Sequence, residues 1–327
     1  MLNFQQGKSA MHSLDLSIVI VNWNSKQFIE QCLTSIRTNV KFARYEIIVI
    51  DNASYDGCRE MLENKFPDVM FIQSAENLGF ARANNLAYGQ SRGQNMLFLN
   101  PDTEIQGSAI QILLDALKSI PDAGMVGAKL LNSDRTLQTT CITALPSILN
   151  QALASNYLRR RFPNWNLWGM RPLYMKKQDV TAVEAISGAC MMAKRDLLER
   201  IGCFTSDYFM YSEDMDLCAK ITQTGTKIYY VPEAVIVHHG GGSSSHSESN
   251  FSSVMQRESL TKFFQLHRGR TYSLMYRAST AVVSICRMAL IIGAFPLTVC
   301  VKGYKFWFNR TSKWSAILCW SLNISRW

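Results

Sequence analysis

Two short runs constrain the fold of this chain more than any other feature: "LSIVIVNWN" (16–24) and "YEIIVIDNAS" (45–54). Each is a continuous apolar stretch that ends in polar residues, the pattern of a strand buried on both faces. Between them "SKQFIEQCLTSI" spaces Phe28, Cys32, Leu33 and Ile36 along one helical face, with Ser25 as a candidate N-cap. Strand, helix and strand make one β-α-β unit and set two polar strand ends side by side. The pattern recurs in "VMFIQ" (69–73), a helix expected from about Gly79 to Gln90, and "NMLFLNPD" (95–102). This alternation predicts an α/β fold with a mostly parallel central sheet flanked by helices, ligands binding beyond the carboxyl ends of the strands.

Further along, a helix is expected over 107–117, and "AGMVGAKLL" reads as a strand. Residues 132–180, rich in Asn, Pro, Arg and Trp, read as a long irregular insertion. "VEAISGACMMAKRDLLERIG" returns to strand, turn and helix, "TKIYYVPEAVIVHH" is strand material, and "GGGSSSHSESNFSS" is a flexible loop. No internal repeat occurs. The nine cysteines contain no C-x-x-C pair and no zinc spacing with histidine, so they read as reduced, mostly core residues. The first thirteen residues lack the charged start and apolar run of a signal peptide, so a cytosolic body is expected.

Charge divides the chain. From Met255 onward eleven Lys or Arg face a single acid, Glu258, while residues 1–254 hold 23 cations and 24 acids. A basic tail can meet nucleic acid or an anionic membrane, and here its apolar neighbours decide. "ASTAVVSICRMALIIGAFPLTVCV" (278–301) is followed by Trp307, Phe308, Trp314, Trp320 and Trp327 among cations, which suits a bilayer interface and argues against nucleic acid. Arg287 splits the run and leaves 14 uninterrupted apolar residues, short for a span. A helix lying in or re-entering the interface is favoured over a crossing. A buried amphipathic helix or an oligomer contact is the alternative.

Several polar positions could carry chemistry. Asp51 could accept from an imide N–H such as that of uracil or thymine, or could serve an Asx-turn in "DNAS". Gly79 opens a helix just after a strand and permits close backbone approach to a ligand. "NPD" (100–102) stands at a strand end, where it is a site or a Pro-Asp turn. His238 and His239 end another strand. "YSEDMDLCAK" (211–220) packs Glu213, Asp214 and Asp216 into four positions; clustered carboxylates raise one another's pKa and make a better base, or they cap a helix and face its dipole. No G-x-G-x-x-G follows the first strand, which argues against a dinucleotide-dependent oxidoreductase.

Taken in order, "VNWN", "DNAS.DG", "NLGFARANN", "FLNPD", Gly188–Ala189, "YSEDMDLC" and "HHGGGSS" resemble family 2 glycosyltransferases, in particular their rhamnosyltransferase-like branch, over about residues 15–275. The resemblance implies a GT-A fold, a Rossmann-like central sheet flanked by helices, here with a C-terminal membrane-associated helical tail. It implies a nucleotide-sugar half (15–105) and an acceptor half (106–275), between an N-terminal extension (1–14) and the tail (276–327). It places the nucleotide sugar against Val21, Asn22, Asn24, Asp51, Asn77, Gly79, Arg82, Asn84, Asn100 and Asp102. Mg²⁺ or Mn²⁺ would sit on Asp102 and on His238 or its neighbour His239. The "NPD" motif has Asn where the D-x-D motif has its first Asp. Asp214 becomes the general base, Glu213 its partner, and Gly188, Ala189 and Glu213 the acceptor contacts.

The resemblance further implies an inverting transferase taking a sugar, rhamnose favoured, from a dTDP- or UDP-sugar. The tail points to a polyprenyl-diphosphate-linked glycan acceptor at the cytoplasmic face of the bacterial inner membrane, in O-antigen, capsule or exopolysaccharide synthesis. "NSDRTLQ" carries Arg135 where the family often has Gly, and "TAL" stands where a basic pair usually precedes the proline. The other class is a catalytically silent sugar-nucleotide-binding or scaffolding subunit at the membrane.

Overall fold

The structure, a computed structural model, describes residues 14–41, 44–176, 178–240 and 250–324. In chain order the elements begin β1 (Leu16–Asn22), α1 (Lys26–Asn39), β2 (Tyr45–Asp51), α2 (Cys58–Lys65), β3 (Met70–Gln73), α3 (Gly79–Gln90), β4 (Asn95–Leu99), β5 (Thr103–Ile105), α4 (Ala109–Ser119) and β6 (Ala123–Leu131). They continue with β7 (Ile142–Thr143), α5 (Ile148–Ala152), α6 (Asn156–Arg161), β8 (Thr181–Val183), β9 (Ala185–Ile186), β10 (Cys190–Lys194), α7 (Arg195–Ile201), α8 (Glu213–Gln223) and β11 (Lys227–His238). Three long helices close the chain: α9 (Asn250–Arg268), α10 (Arg270–Lys302) and α11 (Tyr304–Ser321).

Contacts divide these elements into two compact units. The first takes the described residues of Met1–Leu145, Pro163–Phe209 and Glu213–Ser245; the second takes those of Pro146–Phe162, Met210–Ser212 and His246–Trp327.

The first unit is α/β. Its nine-stranded sheet runs β3-β2-β1-β4-β10-β6-β11-β5, with β8 on β11. The first four strands in this order are parallel, and β1 is buried from end to end, in keeping with its unbroken apolar run. Beyond them the sheet is mixed: β10 lies antiparallel to both β4 and β6, and β5 and β8 lie antiparallel to β11. The parallel β6–β11 ladder breaks register between Val231 and Val235, so that Pro232, Glu233 and Ala234 bulge out of it. The expected irregular insertion is built of short pieces, β7, two single-turn 3₁₀ helices, α5 and α6.

Helix α1 forms where the apolar spacing placed it, with Ile29, Cys32, Leu33 and Ile36 buried. Ser25 does not cap it; its hydroxyl donates to the Trp23 carbonyl instead. The cap is Asp56, whose Oδ2 accepts from the Lys26 N–H at 3.0 Å while Oδ1 accepts from the Cys58 N–H of α2 at 3.1 Å. One carboxylate thus serves the first turns of two helices. Six cysteines are buried free thiols, Cys32, Cys58, Cys141, Cys190, Cys203 and Cys218.

The second unit is helical. Phe264 packs against Tyr272 and Tyr276 at 5.1 and 4.8 Å between ring centres. Arg287, which interrupts the apolar run in the sequence, donates to the Ala154 carbonyl at 2.7 Å and lies over the Trp314 ring at 4.7 Å. Its charge is therefore spent on this unit's own groups. Arg270–Phe295 is long and apolar enough to cross a membrane, and its most apolar 18 residues have mean hydropathy 1.8 with only 6% of them buried. That exposure disfavours a buried core helix, and Val282, Ile285, Leu290 and Ile292 form its open apolar side. The 275/276 division expected from the sequence falls inside continuous α10.

Candidate active site

Strand ends of the first unit carry the polar residues, and hydrogen bonds fix them. Asn22, last in β1, points Nδ2 at Asp51 (2.7 Å), Ser54 (3.1 Å) and Asp56 (3.1 Å). Asp51, last in β2, is buried and accepts from five donors: the Asn22 amide, the Ser54 hydroxyl, the Ser54 and Tyr55 N–H groups, and the Gln73 amide. Burial pushes its carboxyl up, but these donors outweigh that effect and hold it below the ordinary carboxylate value. The carboxylate thus braces the "DNAS" turn from within, but through N–H groups three and four residues on rather than the two of an Asx-turn. A cavity of about 320 Å³ opens beside Asp51, lined by Tyr55, Gly57, Arg59, Phe71 and Gln73, with the Arg59 guanidinium 4.7 Å over the Phe71 ring. Val21 is buried, and Asn24 is exposed in the left-handed region at φ 52°.

The "NLGFARANN" segment is held by Asn52, which the sequence reading did not single out. Its amide donates to Asn77 Oδ1 (2.8 Å) and accepts from the Leu78 N–H (2.8 Å), and Asn77 Oδ1 also takes the Gly79 N–H (2.9 Å). Gly79 has φ 75°, and the group that approaches it closely is the Phe209 carbonyl: a Cβ would stand 2.2 Å from that oxygen. The same carbonyl accepts from the Phe80 N–H at 2.9 Å. Arg82 is exposed and Asn84 buried, and both bond within α3, to the Leu78 and Phe80 carbonyls. Asn85, also missed, reads both backbone groups of Phe204.

Beyond β4 the chain turns through Asn100, Pro101 and Asp102 and meets the end of β11. Asp102 Oδ1 lies 3.3 Å from His238 Nε2, and Asn100 Nδ2 lies 3.2 Å from the same nitrogen. His239 turns its ring elsewhere, with Nδ1 2.9 Å from Ser133 Oγ and Nε2 3.6 Å from Glu104, so of the two histidines it is His238 whose ring stands beside Asp102. By its chemistry, one carboxylate oxygen and one imidazole nitrogen 3.3 Å apart, the pair fits a divalent cation such as Mg²⁺ or Mn²⁺. The Gly/Ser loop expected after His239 lies largely in 241–249, outside the described residues.

The acidic cluster opens α8. Tyr211 and Ser212 precede it at φ 71° and 65°, two consecutive left-handed residues that cost about 1–2 kcal/mol each. Asp214 Oδ2 accepts from the Gly188 N–H (3.1 Å) and Oδ1 from the Met215 N–H (2.8 Å). Gly188 lies against it, a Cβ there falling 3.3 Å from that of Asp214. The next residue, buried Ala189, offers its carbonyl to the Asn100 N–H at 3.0 Å. Gly188–Ala189 therefore stitches the turn bearing Asp102 to the carboxylate Asp214. Asp216 lies in the first turn of α8, where its charge faces the helix dipole, and is also held by the Thr205 hydroxyl (2.6 Å) and Tyr208 (3.4 Å).

Burial, with the charge of Asp214 second, pushes the Glu213 carboxyl up to about 8, and its Oε2 has no hydrogen-bond partner. Burial also raises Asp214. A carboxyl whose folded pKa lies above its ordinary value favours folding most below that ordinary value and loses the contribution as pH rises through the folded one. Glu213→Gln should therefore flatten the decline of thermal midpoint between pH 4.5 and about 8, leaving the variant the more stable at the upper end. Parallel melting curves across that window would refute the assignment.

The sequence profile of Glycosyl transferase family 2 matches residues 17–202, and that of Glycosyl transferase family group 2 matches residues 130–324. The chain belongs to glycosyltransferase family 2.

Among its relatives, the N-acetylglucosaminyl-diphospho-decaprenol L-rhamnosyltransferase of Mycobacterium tuberculosis is 24% identical, covering 78% of this chain and 85% of its own. Rhamnosyltransferase WbbL of Escherichia coli is 24% identical over 80% of this chain and 92% of its own. In fold, the mannosyltransferase PcManGT from Pyrobaculum calidifontis, solved with GDP-Man and Mn²⁺, superposes with a TM-score of 0.56 at 17% identity, over 96% of this chain and 88% of its own. The GT-A fold and the rhamnosyltransferase-like branch expected from the motifs agree with these relatives.

Proposed function

We propose that this chain is an inverting glycosyltransferase that moves a sugar, rhamnose favoured, from a dTDP- or UDP-sugar to a polyprenyl-diphosphate-linked glycan. The observation that carries the reading is the stitch through Gly188–Ala189, which ties Asp214 to the turn bearing Asp102, itself 3.3 Å from His238. The relatives support the sugar and the lipid-linked acceptor, since one is named for rhamnosyl transfer to a diphospho-decaprenol substrate. The body, 15–275, carries the chemistry; the basic, Trp-rich tail, 276–327, holds it at the cytoplasmic face of a bacterial inner membrane, where surface polysaccharide precursors are assembled.

The nucleoside lies along the strand ends of Val21–Asn24 and Asp51, with the cavity beside Tyr55 and Phe71 offering aromatic and cationic walls. Asn77, Gly79, Arg82, Asn84 and Asn100 complete the donor side, with Arg82 on an exposed helix face, its Nε on the Leu78 carbonyl and its guanidinium within reach of phosphate. Asp102 and His238 would hold Mg²⁺ or Mn²⁺, which when bound would supply positive charge for the departing diphosphate. The acceptor hydroxyl oxygen bonds to the anomeric carbon as the carbon–oxygen bond to the diphosphate breaks, and the hydroxyl proton passes to Asp214. Glu213, with its unpartnered Oε2, receives an acceptor hydroxyl beside Gly188 and Ala189.

Purified protein with Mn²⁺ and a panel of nucleotide sugars tests this by release of nucleoside diphosphate, with and without a bacterial lipid extract. Release from one donor, raised by the extract and lost in Asp102→Ala, is the expected result. Donor binding with no release under any pairing would replace the transferase by a silent sugar-nucleotide-binding subunit.

A further inference from the structure

His238 reaches the Asp102 turn through one ring nitrogen, and its other nitrogen is not left to chance. Nδ1 lies 2.7 Å from Gln138 Oε1. Which nitrogen bears the proton depends on which way the Gln138 amide faces, and a hydrogen-bonded series of four residues settles that. Asp134 begins it, because an ionised carboxylate can only accept. Its Oδ1 takes the Thr136 hydroxyl proton at 2.5 Å, so Thr136 Oγ1 is left to accept from Asn132 Nδ2 at 2.9 Å. Asn132 Oδ1 then faces Gln138 and accepts from its Nε2 at 3.1 Å. Gln138 must present Oε1 to the imidazole, and only an Nδ1–H can donate to it.

We infer that Gln138, set by the Asn132–Thr136 turn, is a positioning residue that fixes His238 as the Nδ1–H tautomer and aims the bare Nε2 at the cation beside Asp102. The inference rests on the reading of Asp102 and His238 as cation ligands, and it names the protein groups that prepare one of them. In the neutral ring with the proton on Nδ1, the Nε2 lone pair accepts from Asn100 Nδ2 at 3.2 Å, which agrees with the assignment, and a cation bound beside Asp102 Oδ1, 3.3 Å from the same nitrogen, would take the place of that hydrogen bond. The backbone of the turn supports the series: the Asn132 N–H donates to the Thr136 carbonyl and the Arg135 N–H to the Asn132 carbonyl, both at 2.8 Å. Arg135 completes the turn at φ 65°, the left-handed conformation in which Gly costs least.

Two measurements test it. ¹⁵N NMR of histidine-labelled protein without cation, under conditions where the ring is neutral, reads the tautomer directly, and Mn²⁺ affinity is read by calorimetry in the presence of nucleoside diphosphate. The wild type should show the proton on Nδ1. Gln138→Leu should lose that tautomeric preference and bind Mn²⁺ about 10- to 100-fold more weakly, whereas Gln138→Glu, which still accepts from Nδ1–H, should keep both. A wild-type proton on Nε2 overturns the inference, as does a Gln138→Leu protein with unchanged tautomer and affinity. Should the wild type carry the Nδ1 proton yet bind no Mn²⁺, the cation reading falls instead; the two failures are distinct because the tautomer is read with no cation present.

Discussion

Replacing Asp214 by Asn should lower the transfer rate by about 10²- to 10⁴-fold while leaving the affinities for donor and Mn²⁺ within about twofold. The substitution is nearly isosteric, and the one amide oxygen can keep either the Gly188 or the Met215 N–H of the two that hold the two carboxylate oxygens, while the amide nitrogen cannot accept the other. The side chain keeps its place at the cost of one hydrogen bond, and the base is removed. Single-turnover transfer with saturating donor, alongside calorimetric donor binding, separates the two effects. A variant that transfers at the wild-type rate would move the base to another group; one that also loses donor binding would make Asp214 structural. In the wild type, burial raises the Asp214 carboxyl, so the rate should fall on the acid side as this group gains its proton. Its neighbour Glu213 shares that limb, since two adjacent carboxylates titrate as a pair.

The second large effect is on stability. Gly79→Ala should destabilise the protein by on the order of 3 kcal/mol or more, a fall in thermal midpoint of roughly 6–12 °C. The residue has φ 75°, which costs any L side chain about 1–2 kcal/mol. The Phe209 carbonyl, 2.2 Å from where the new Cβ would stand, must also move and strain its bond to the Phe80 N–H. Phe209 lies four residues before Glu213, so activity should fall further than the loss of folded protein accounts for. A midpoint within about 2 °C of wild type would show that the carbonyl yields freely.

Much of this site could be read from the sequence because strand ends and helix faces are local patterns. The apolar runs of β1 and β2 end at Asn22 and Asp51 as their composition implies, and α3 begins and ends at Gly79 and Gln90. What escaped was set by distant partners. Asp56 caps α1 from 30 positions away in sequence, Asn85 holds Phe204 from 119, and Gln138 orients His238 from 100. No periodicity carries such pairings. The same holds for the antiparallel placement of β10 between β4 and β6: its residues look like those of any buried strand, and only the path of the chain gives its direction. Gly79 was legible as a special backbone position, but what comes close to it is part of the chain, the Phe209 carbonyl.

The bulge in β11 has a bearing on the Asp102 turn. Before it Val231 pairs with Ala128, after it Val235 pairs with Lys129, and three strand positions later His238 pairs with Thr103 of β5. The number of residues looped out at 232–234 thus decides which side chain arrives over Asp102, because each residue gained or lost slides the strand by about 3.3 Å and turns its side chains to the other face. The slip is not symmetrical. Losing one residue would bring His239 into the place of His238 and keep an imidazole there, whereas gaining one would bring Val237, which has no lone pair to offer. The doubled histidine is in this sense a margin of one residue, and it runs toward shortening.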